Sequence, residues 1–353
     1  MGAFSSDQRR IIDANLNRTG EGLRVLEELA RLSLNDADLT QQFKDLRHDL
    51  VAVDMGLQEK LIAARDAAGD VGADMESPGQ KKPRGVPATI VANARRVQES
   101  LRVIEELARA PGSPLETERY RRARFALYTL EKTLLARVLR QDRMARLTGL
   151  YVIIDTAMLR GRSHAEATLQ AIRGGAKVIQ LRDKGRLKGK VVSIAGELRK
   201  LCGENRVLFI VNDDLDIALA VGADGVHVGP DDLPVAVARR LLPVDKILGA
   251  SVRTVAEAEA AAGDGADYLG VGAMYATPTK QEAGVVGPGR IRDIRQKVDL
   301  PIVAIGGINK GNLAKVVREG AVAAAVISAV LGAADIEAAT RQLVKAIEEA
   351  QGE

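Results

Sequence analysis

The spacing of apolar residues along the chain changes near residue 150. Across residues 1–142 they recur every three or four positions, as at Leu23, Leu26 and Ala30, which puts them on one face of an α-helix. Beyond that point short β-branched runs alternate with helical stretches, the pattern of parallel βαβ units. Eight such runs can be traced, at 151–155, 178–182, 208–212, 225–229, 247–251, 268–273, 302–306 and 324–328. A helical stretch follows each, the last over 335–350. The expected architecture is an all-α domain at 1–142 followed by a (β/α)8 TIM barrel at 148–353. A doubly wound sheet is the alternative, but eight regular units favour closure. The polar, mostly basic segment 140–146 reads as the linker between the halves, and the Gly-, Pro- and Lys-rich segment 66–87 reads as a long loop.

The helical half repeats itself. Ala14-Asn15, Arg18, Glu21, Leu23-Arg-Val25 and Glu27-Glu-Leu-Ala-Arg31 recur as Ala92-Asn93, Arg96, Glu99, Leu101-Arg-Val103 and Glu105-Glu-Leu-Ala-Arg109. A weaker echo relates Phe43-Lys-Asp-Leu-Arg47 to Tyr120-Arg-Arg-Ala-Arg124. The reading is two copies of one helical hairpin. A repeat kept only for packing need retain only its apolar face, yet Arg24/Arg102 and Glu28/Glu106 recur as well. Two explanations follow: an Arg–Glu lattice between paired helices, which is favoured, and a polar pocket lined by both copies.

Composition narrows the classes. The 353 residues suit two domains. With 46% hydrophobic but only 3% aromatic residues and no Trp, the cores must be built from Leu, Ile, Val and Ala. The formal net charge of +4 is spread among interspersed acids and bases, with no basic face interleaved with aromatics, so nucleic acid is not the expected partner. The single Cys202 excludes an intrachain disulfide and any multi-cysteine zinc site, and His48, His164 and His227 are too far apart in sequence to read as a metal motif. The opening Met1-Gly-Ala-Phe-Ser-Ser6 lacks the basic-then-apolar pattern of a leader, and no apolar run reaches membrane-spanning length. The expectation is a cytoplasmic protein acting on small molecules, without a membrane partner, and compatible with a homo-oligomer.

In a barrel of this kind the C-terminal strand ends carry the chemistry. Here the second run ends in Gln180-Leu-Arg-Asp-Lys184 and the third in Val211-Asn-Asp-Asp214. The fourth leads through His227 to Gly229-Pro-Asp-Asp232, and the fifth ends at Ser251. Thr277-Pro-Thr-Lys280 follows the sixth, Gly306-Gly-Ile308 closes the seventh, and Ile327-Ser328 closes the eighth. His227, inside an apolar strand, reads as a hydrogen-bonded core histidine before it reads as a catalyst. Asp231-Asp232 fits a helix cap as well as a metal ligand. Gly306-Gly307 is more specific, because bare glycines let backbone N–H groups approach a phosphate near the seventh and eighth strands.

Two anion sites emerge. Arg182, Lys184 and Lys280, with an amide and two carboxylates, suit a diphosphate accompanied by Mg²⁺, since carboxylates beside a diphosphate require an intervening cation. Thr277, Thr279, Gly307 and Ser328 suit a monophosphate. Two phosphorylated substrates, one with a diphosphate leaving group, imply group transfer with loss of pyrophosphate.

These motifs, in this order, resemble those of the thiamine phosphate synthases, over about residues 150–350. The resemblance implies a transferase that joins hydroxymethylpyrimidine diphosphate to a thiazole phosphate through a pyrimidine carbocation. It implies that Gln180, Leu181, Arg182, Asp183, Lys184, Asn212, Ser251 and Lys280 hold the pyrimidine diphosphate, with Arg182, Lys184, Lys280 and Ser251 acting in catalysis. It further implies Mg²⁺ on Asp213 and Asp232, and thiazole phosphate on Thr277, Pro278, Thr279, Gly307, Ile327 and Ser328. Val285-Val-Gly-Pro-Gly289 departs from the family, where a Gly-Leu pair is expected after the lysine loop. A thiazole tautomerase-like barrel is the rival within the fold. The helical half resembles the domain fused to some of these synthases, for which a pyrimidine phosphate kinase role has been advanced, although no Gly-x-x-x-x-Gly-Lys-Ser/Thr loop is present.

Overall fold

A computed structural model describes residues 4–66, 69–70, 84–277 and 284–352. The chain divides into two compact units, Met1–Gln141 and Asp142–Glu353.

The first unit is helical: α1 (Ser6–Glu28), α2 (Ala37–Val51), α3 (Met55–Ala63), α4 (Val86–Ala108) and α5 (Thr117–Arg146). Helix α1 starts where Ser5 and Gln8 form a reciprocal capping box, and ends in a π turn over Leu29–Ser33. The carboxylates of Asp36 and Asp54 cap α2 and α3 by accepting from Leu39 N and Leu57 N. The repeat has a structural counterpart, because α1 and α4 are both 23 residues long and pack on each other. Phe43 and Tyr120, the echoed aromatics, are both fully buried in the core of this unit. The division between the units falls inside the expected linker at 140–146, which is helical and forms the last turns of α5. Of the expected loop at 66–87, residues 67–68 and 71–83 lie outside the described residues, and Val86-Pro87 already form the first turn of α4.

The second unit is a closed barrel of eight parallel strands in sequence order. They are β1 (Gly149–Asp155), β2 (Val178–Arg182), β3 (Leu208–Asn212), β4 (Gly225–Val228), β5 (Ile247–Val252), β6 (Tyr268–Val271), β7 (Ile302–Ile305) and β8 (Ala323–Val326). Pairing of β1 with both β2 and β8 excludes the doubly wound alternative. Helices α6 (His164–Arg173), α7 (Lys188–Glu204), α8 (Leu215–Val221), α9 (Val235–Leu241), α10 (Val255–Gly263), α11 (Gly289–Arg295), α12 (Leu313–Arg318), α13 (Ser328–Leu331) and α14 (Ile336–Gly352) follow the strands.

Strand alternation sorts the side chains into two layers. Leu150, Val152, Ile154, Ile179, Leu181, Phe209 and Val211 face the helices in one core. Tyr151, Ile153, Val178, Leu208, Ile210, Ile247 and Tyr268 fill the barrel interior in another. Two Ala-Asp pairs set strand starts: Asp224 accepts from Phe209 N at 3.0 Å, and Asp267 accepts from Leu248 N at 2.8 Å. Arg143 lies 3.3 Å from Asp224, and Arg239 lies 3.0 Å from Asp267, so neither carboxylate is left bare.

Candidate active site

At the C-terminal ends of the strands lies a cavity of about 250 Å³. Its walls follow from strand parity. Gln180 and Arg182 on β2, Asn212 on β3, His227 on β4 and Ser251 on β5 all share the inward register of Tyr151 and Tyr268, and all line it. Lys184, Asp213, Asp232, Thr277, Gly307, Ile327 and Ser328 join them from the loops and strand ends. Leu181 does not, because its opposite parity buries it against the helices. Asp183 is spent on its own loop, where it accepts from Thr156 Oγ1 at 2.7 Å and from the backbone of Gly185 and Arg186. Those hydrogen bonds outweigh burial and hold its carboxyl below the usual range. Pro278, Thr279 and Lys280 lie outside the described residues.

The cationic side of the cavity is pre-set. Arg182 Nη1 lies 2.5 Å from Asp155 Oδ2, and the other Asp155 oxygen accepts from Ala157 N at 3.0 Å. Asp155 is buried, so this pair fixes the guanidinium from behind. Sequence reasoning missed Asp155, since an acid at a strand end looks like a solvated turn residue. Lys184 Nζ lies 3.0 Å from Asp213 Oδ2. Asp213 sits in the left-handed region at φ 62°, with its N–H donating to His227 O at 2.8 Å. Burial first, and then the neighbouring Asp232, push its carboxyl up to about 6 despite Lys184. Asp232 in turn accepts from Gly229 N at 2.8 Å, three residues before it, and does not cap the next helix, whose N-cap is Pro234.

On the opposite side the chain turns tightly after β7. Gly307 has φ 67°, and a Cβ there would stand 2.6 Å from Ala276 O and 2.7 Å from Tyr275 O, so only glycine lets these segments meet. The floor carries what the sequence did not single out, the Tyr151 and Tyr268 hydroxyls, 3.3 Å apart. His227 is hydrogen-bonded at both ring nitrogens, to Tyr268 and Ser251. Space for this cluster comes from Gly249, where a Cβ would fall 2.1 Å from the Tyr268 ring and 2.4 Å from His227 Nδ1. Two tyrosines in apolar strands read as core; only their inward parity could have marked them.

Residues 150–330 match the thiamine monophosphate synthase family profile, and residues 10–133 match that of the ThiD2 family. A thiamine-phosphate synthase of Thermosynechococcus vestitus is 39% identical over 98% of this chain and 96% of its own length. The chain belongs to the thiamine monophosphate synthase family. Among family members, the thiamine-phosphate synthase of Methanospirillum hungatei is 54% identical over 55% of this chain and 95% of its own length. The solved thiamine phosphate pyrophosphorylase from Pyrococcus furiosus is 44% identical, covers 57% of this chain and 96% of its own, and superposes with a TM-score of 0.54. Family membership agrees with the observed closed barrel and with the motif order around the cavity.

In the helical unit part of the recurring set, Arg24/Arg102 with Glu27/Glu105 and Glu28/Glu106, forms ion pairs. Buried Glu27 receives Arg47 Nε at 2.8 Å and Arg24 Nη1 at 2.9 Å. Buried Glu105 receives Arg102, Arg109 and Arg124 at 3.0–3.1 Å. Asn15 and Asn93 both donate to a carbonyl one turn back, Ile11 O and Thr89 O. A separate open groove is lined by Arg84, Arg95, Arg96, Glu99, Leu135 and Leu139, all on the second copy. No helix among the described residues is long and apolar enough to cross a membrane.

Proposed function

We propose that the barrel transfers the (4-amino-2-methylpyrimidin-5-yl)methyl group of 4-amino-2-methyl-5-hydroxymethylpyrimidine diphosphate to the ring nitrogen of a thiazole phosphate, releasing pyrophosphate and thiamine phosphate. The observation that carries this reading is the sharing of one cavity by the Arg182–Lys184 cations, the Asp213–Asp232 acids, Gly307 after β7 and Ser328 after β8. A tautomerase needs no leaving-group site and would leave the first two sets without a task.

The acid pair fits a divalent cation. Two neighbouring carboxylates stand together, Asp213 pushed up to about 6 by burial and by Asp232, with Lys184 Nζ 3.0 Å from Asp213 Oδ2. Among the described residues no third His, Cys, Asp or Glu completes the cluster, which suits Mg²⁺, a cation that keeps waters and substrate phosphates as ligands. Mg²⁺ held by Asp213 and Asp232 would neutralise charge on the departing diphosphate. Arg182, aimed by Asp155, and Lys184 bind the same diphosphate and stabilise the negative charge that grows as its bond to the pyrimidine carbon breaks. Gly307, Ile327, Ser328 and Thr277 hold the thiazole phosphate through backbone N–H groups and hydroxyls, which keeps the ring nitrogen within reach of the carbocation. Pro278, Thr279 and Lys280 fall outside the described residues, and only the family resemblance assigns them to these anion sites.

Incubating the full-length chain with both substrates and Mg²⁺ tests this. Equal yields of pyrophosphate and thiamine phosphate are expected, and isomerised thiazole without pyrophosphate would overturn it. The ThiD2 match favours a second activity in the helical unit, phosphoryl transfer from ATP to the pyrimidine monophosphate, with the arginine-lined groove as its place. Formation of ADP and pyrimidine diphosphate by the full chain is the readout.

A further inference from the structure

One line of hydrogen bonds crosses the barrel beneath the cavity and ends in it. Gln180 Nε2 donates to Tyr151 Oη at 2.8 Å. The Tyr151 and Tyr268 hydroxyls are 3.3 Å apart, Tyr268 Oη is 3.1 Å from His227 Nδ1, and His227 Nε2 is 2.9 Å from Ser251 Oγ. Five groups from β2, β1, β6, β4 and β5 are thus joined end to end. Gln180, Tyr151 and Tyr268 are buried.

The line has a direction. An amide NH2 only donates, so Tyr151 oxygen accepts from Gln180. Burial holds both phenols well above their usual range, so each keeps one proton to place. If Tyr151 donates to Tyr268, Tyr268 donates to His227 Nδ1, the imidazole proton sits on Nε2, and Nε2–H donates to Ser251 Oγ. Every buried group is then satisfied, and the one proton left over, on the Ser251 hydroxyl, points into the cavity. In the opposite direction Tyr268 donates to Tyr151, and the Tyr151 proton is stranded without an acceptor, the costlier arrangement.

We infer that Tyr151 and Tyr268 are positioning residues that hold the His227 ring with a proton on Nε2 and a bare Nδ1, and so turn the Ser251 hydroxyl proton toward an oxygen of the bound diphosphate substrate. The identity of that substrate rests on the function proposed above; the tautomer does not.

Long-range ¹H–¹⁵N correlation spectra of the full-length, ligand-free chain read the tautomer directly, with the His227 signals assigned by their loss in His227→Gln. Expected are a protonated Nε2 and a bare Nδ1. Tyr268→Phe and, separately, Tyr151→Phe break the line, mix the tautomers and lower kcat roughly tenfold, the loss of one oriented donor, with KM for the thiazole phosphate unchanged. Ser251→Ala made in the Tyr268→Phe chain adds little further loss, because the hydroxyl is already misdirected. A protonated Nδ1 in the wild-type chain would overturn the inference, as would either Phe variant keeping both tautomer and kcat. If the wild-type chain failed to couple the two substrates while the Nε2–H tautomer stood, the functional reading alone would fall.

Discussion

Replacing Arg47 with alanine removes the one arginine that reaches Glu27 from another helix, at 2.8 Å. The Glu27 side chain is 5% exposed and keeps only Arg24, a half-exposed partner on its own helix. Stripping a partner from a buried ion pair costs about 3–5 kcal/mol, and the surviving Arg24 bond brings the expected loss to about 2–3 kcal/mol. Arg24→Ala removes an exposed arm of the same lattice and should cost about 0–1 kcal/mol. Arg124→Ala falls between them, because Glu105 retains Arg102 and Arg109. Calorimetry of the full chain reads the order as the shift of the helical unit's transition, some 6–12 °C for Arg47→Ala at roughly 3–4 °C per kcal/mol. Adding Glu27→Gln to Arg47→Ala should restore part of the loss, since the uncompensated charge is what costs. Equal losses for Arg24→Ala and Arg47→Ala, or no recovery in the double variant, would refute the buried-lattice reasoning.

Three further outcomes are expected. Asp155→Asn takes the charge from behind Arg182 and should lower kcat by about tenfold to a hundredfold, with a smaller change in melting temperature, measured in steady-state assays. The Asp213 carboxyl lies near 6 when folded, above its unfolded value. The folded state therefore binds more protons between about pH 4 and 6, and metal-free stability declines as pH rises through that window, by at most about 3 kcal/mol. Urea titrations should show this loss shrink in Asp213→Asn and on adding Mg²⁺, and an identical pH profile in that variant would refute it. Gly307→Ala, at φ 67° and against two carbonyl oxygens, should raise KM for the thiazole phosphate at least tenfold while leaving that for the pyrimidine diphosphate within about twofold.

The barrel was legible because its strands are short, β-branched and evenly spaced, and β2 and β3 begin and end where the pattern puts them. The helical unit was legible as helix and as a repeat. The segment 140–146 does hold the division between the units, but its helical form was not legible, because a run of charged residues serves a solvated helix end as well as an extended linker. Within the site, residues at strand ends announced themselves by charge, whereas those that aim them did not. Asp155 is one acid among many until its burial beside Arg182 is seen. Tyr151 and Tyr268 are ordinary strand formers until closure brings β1 and β6 across one interior. Leu181 shows the converse, a residue inside a site motif that parity turns away from the cavity. Such facts depend on which strands face one another, and local sequence carries no record of that.

The missing side chain at Gly249 has a consequence for anyone wishing to widen the enzyme's repertoire. Most glycines in a barrel wall look like spare room that a designer could fill to reshape a ligand. This one is already occupied from across the lumen, by the Tyr268 ring and the His227 imidazole. Saturation libraries at position 249 should therefore return almost nothing alive. Diversity is better sought along the rim, at Arg253 and Glu257, which border the cavity and have no part in the line beneath it.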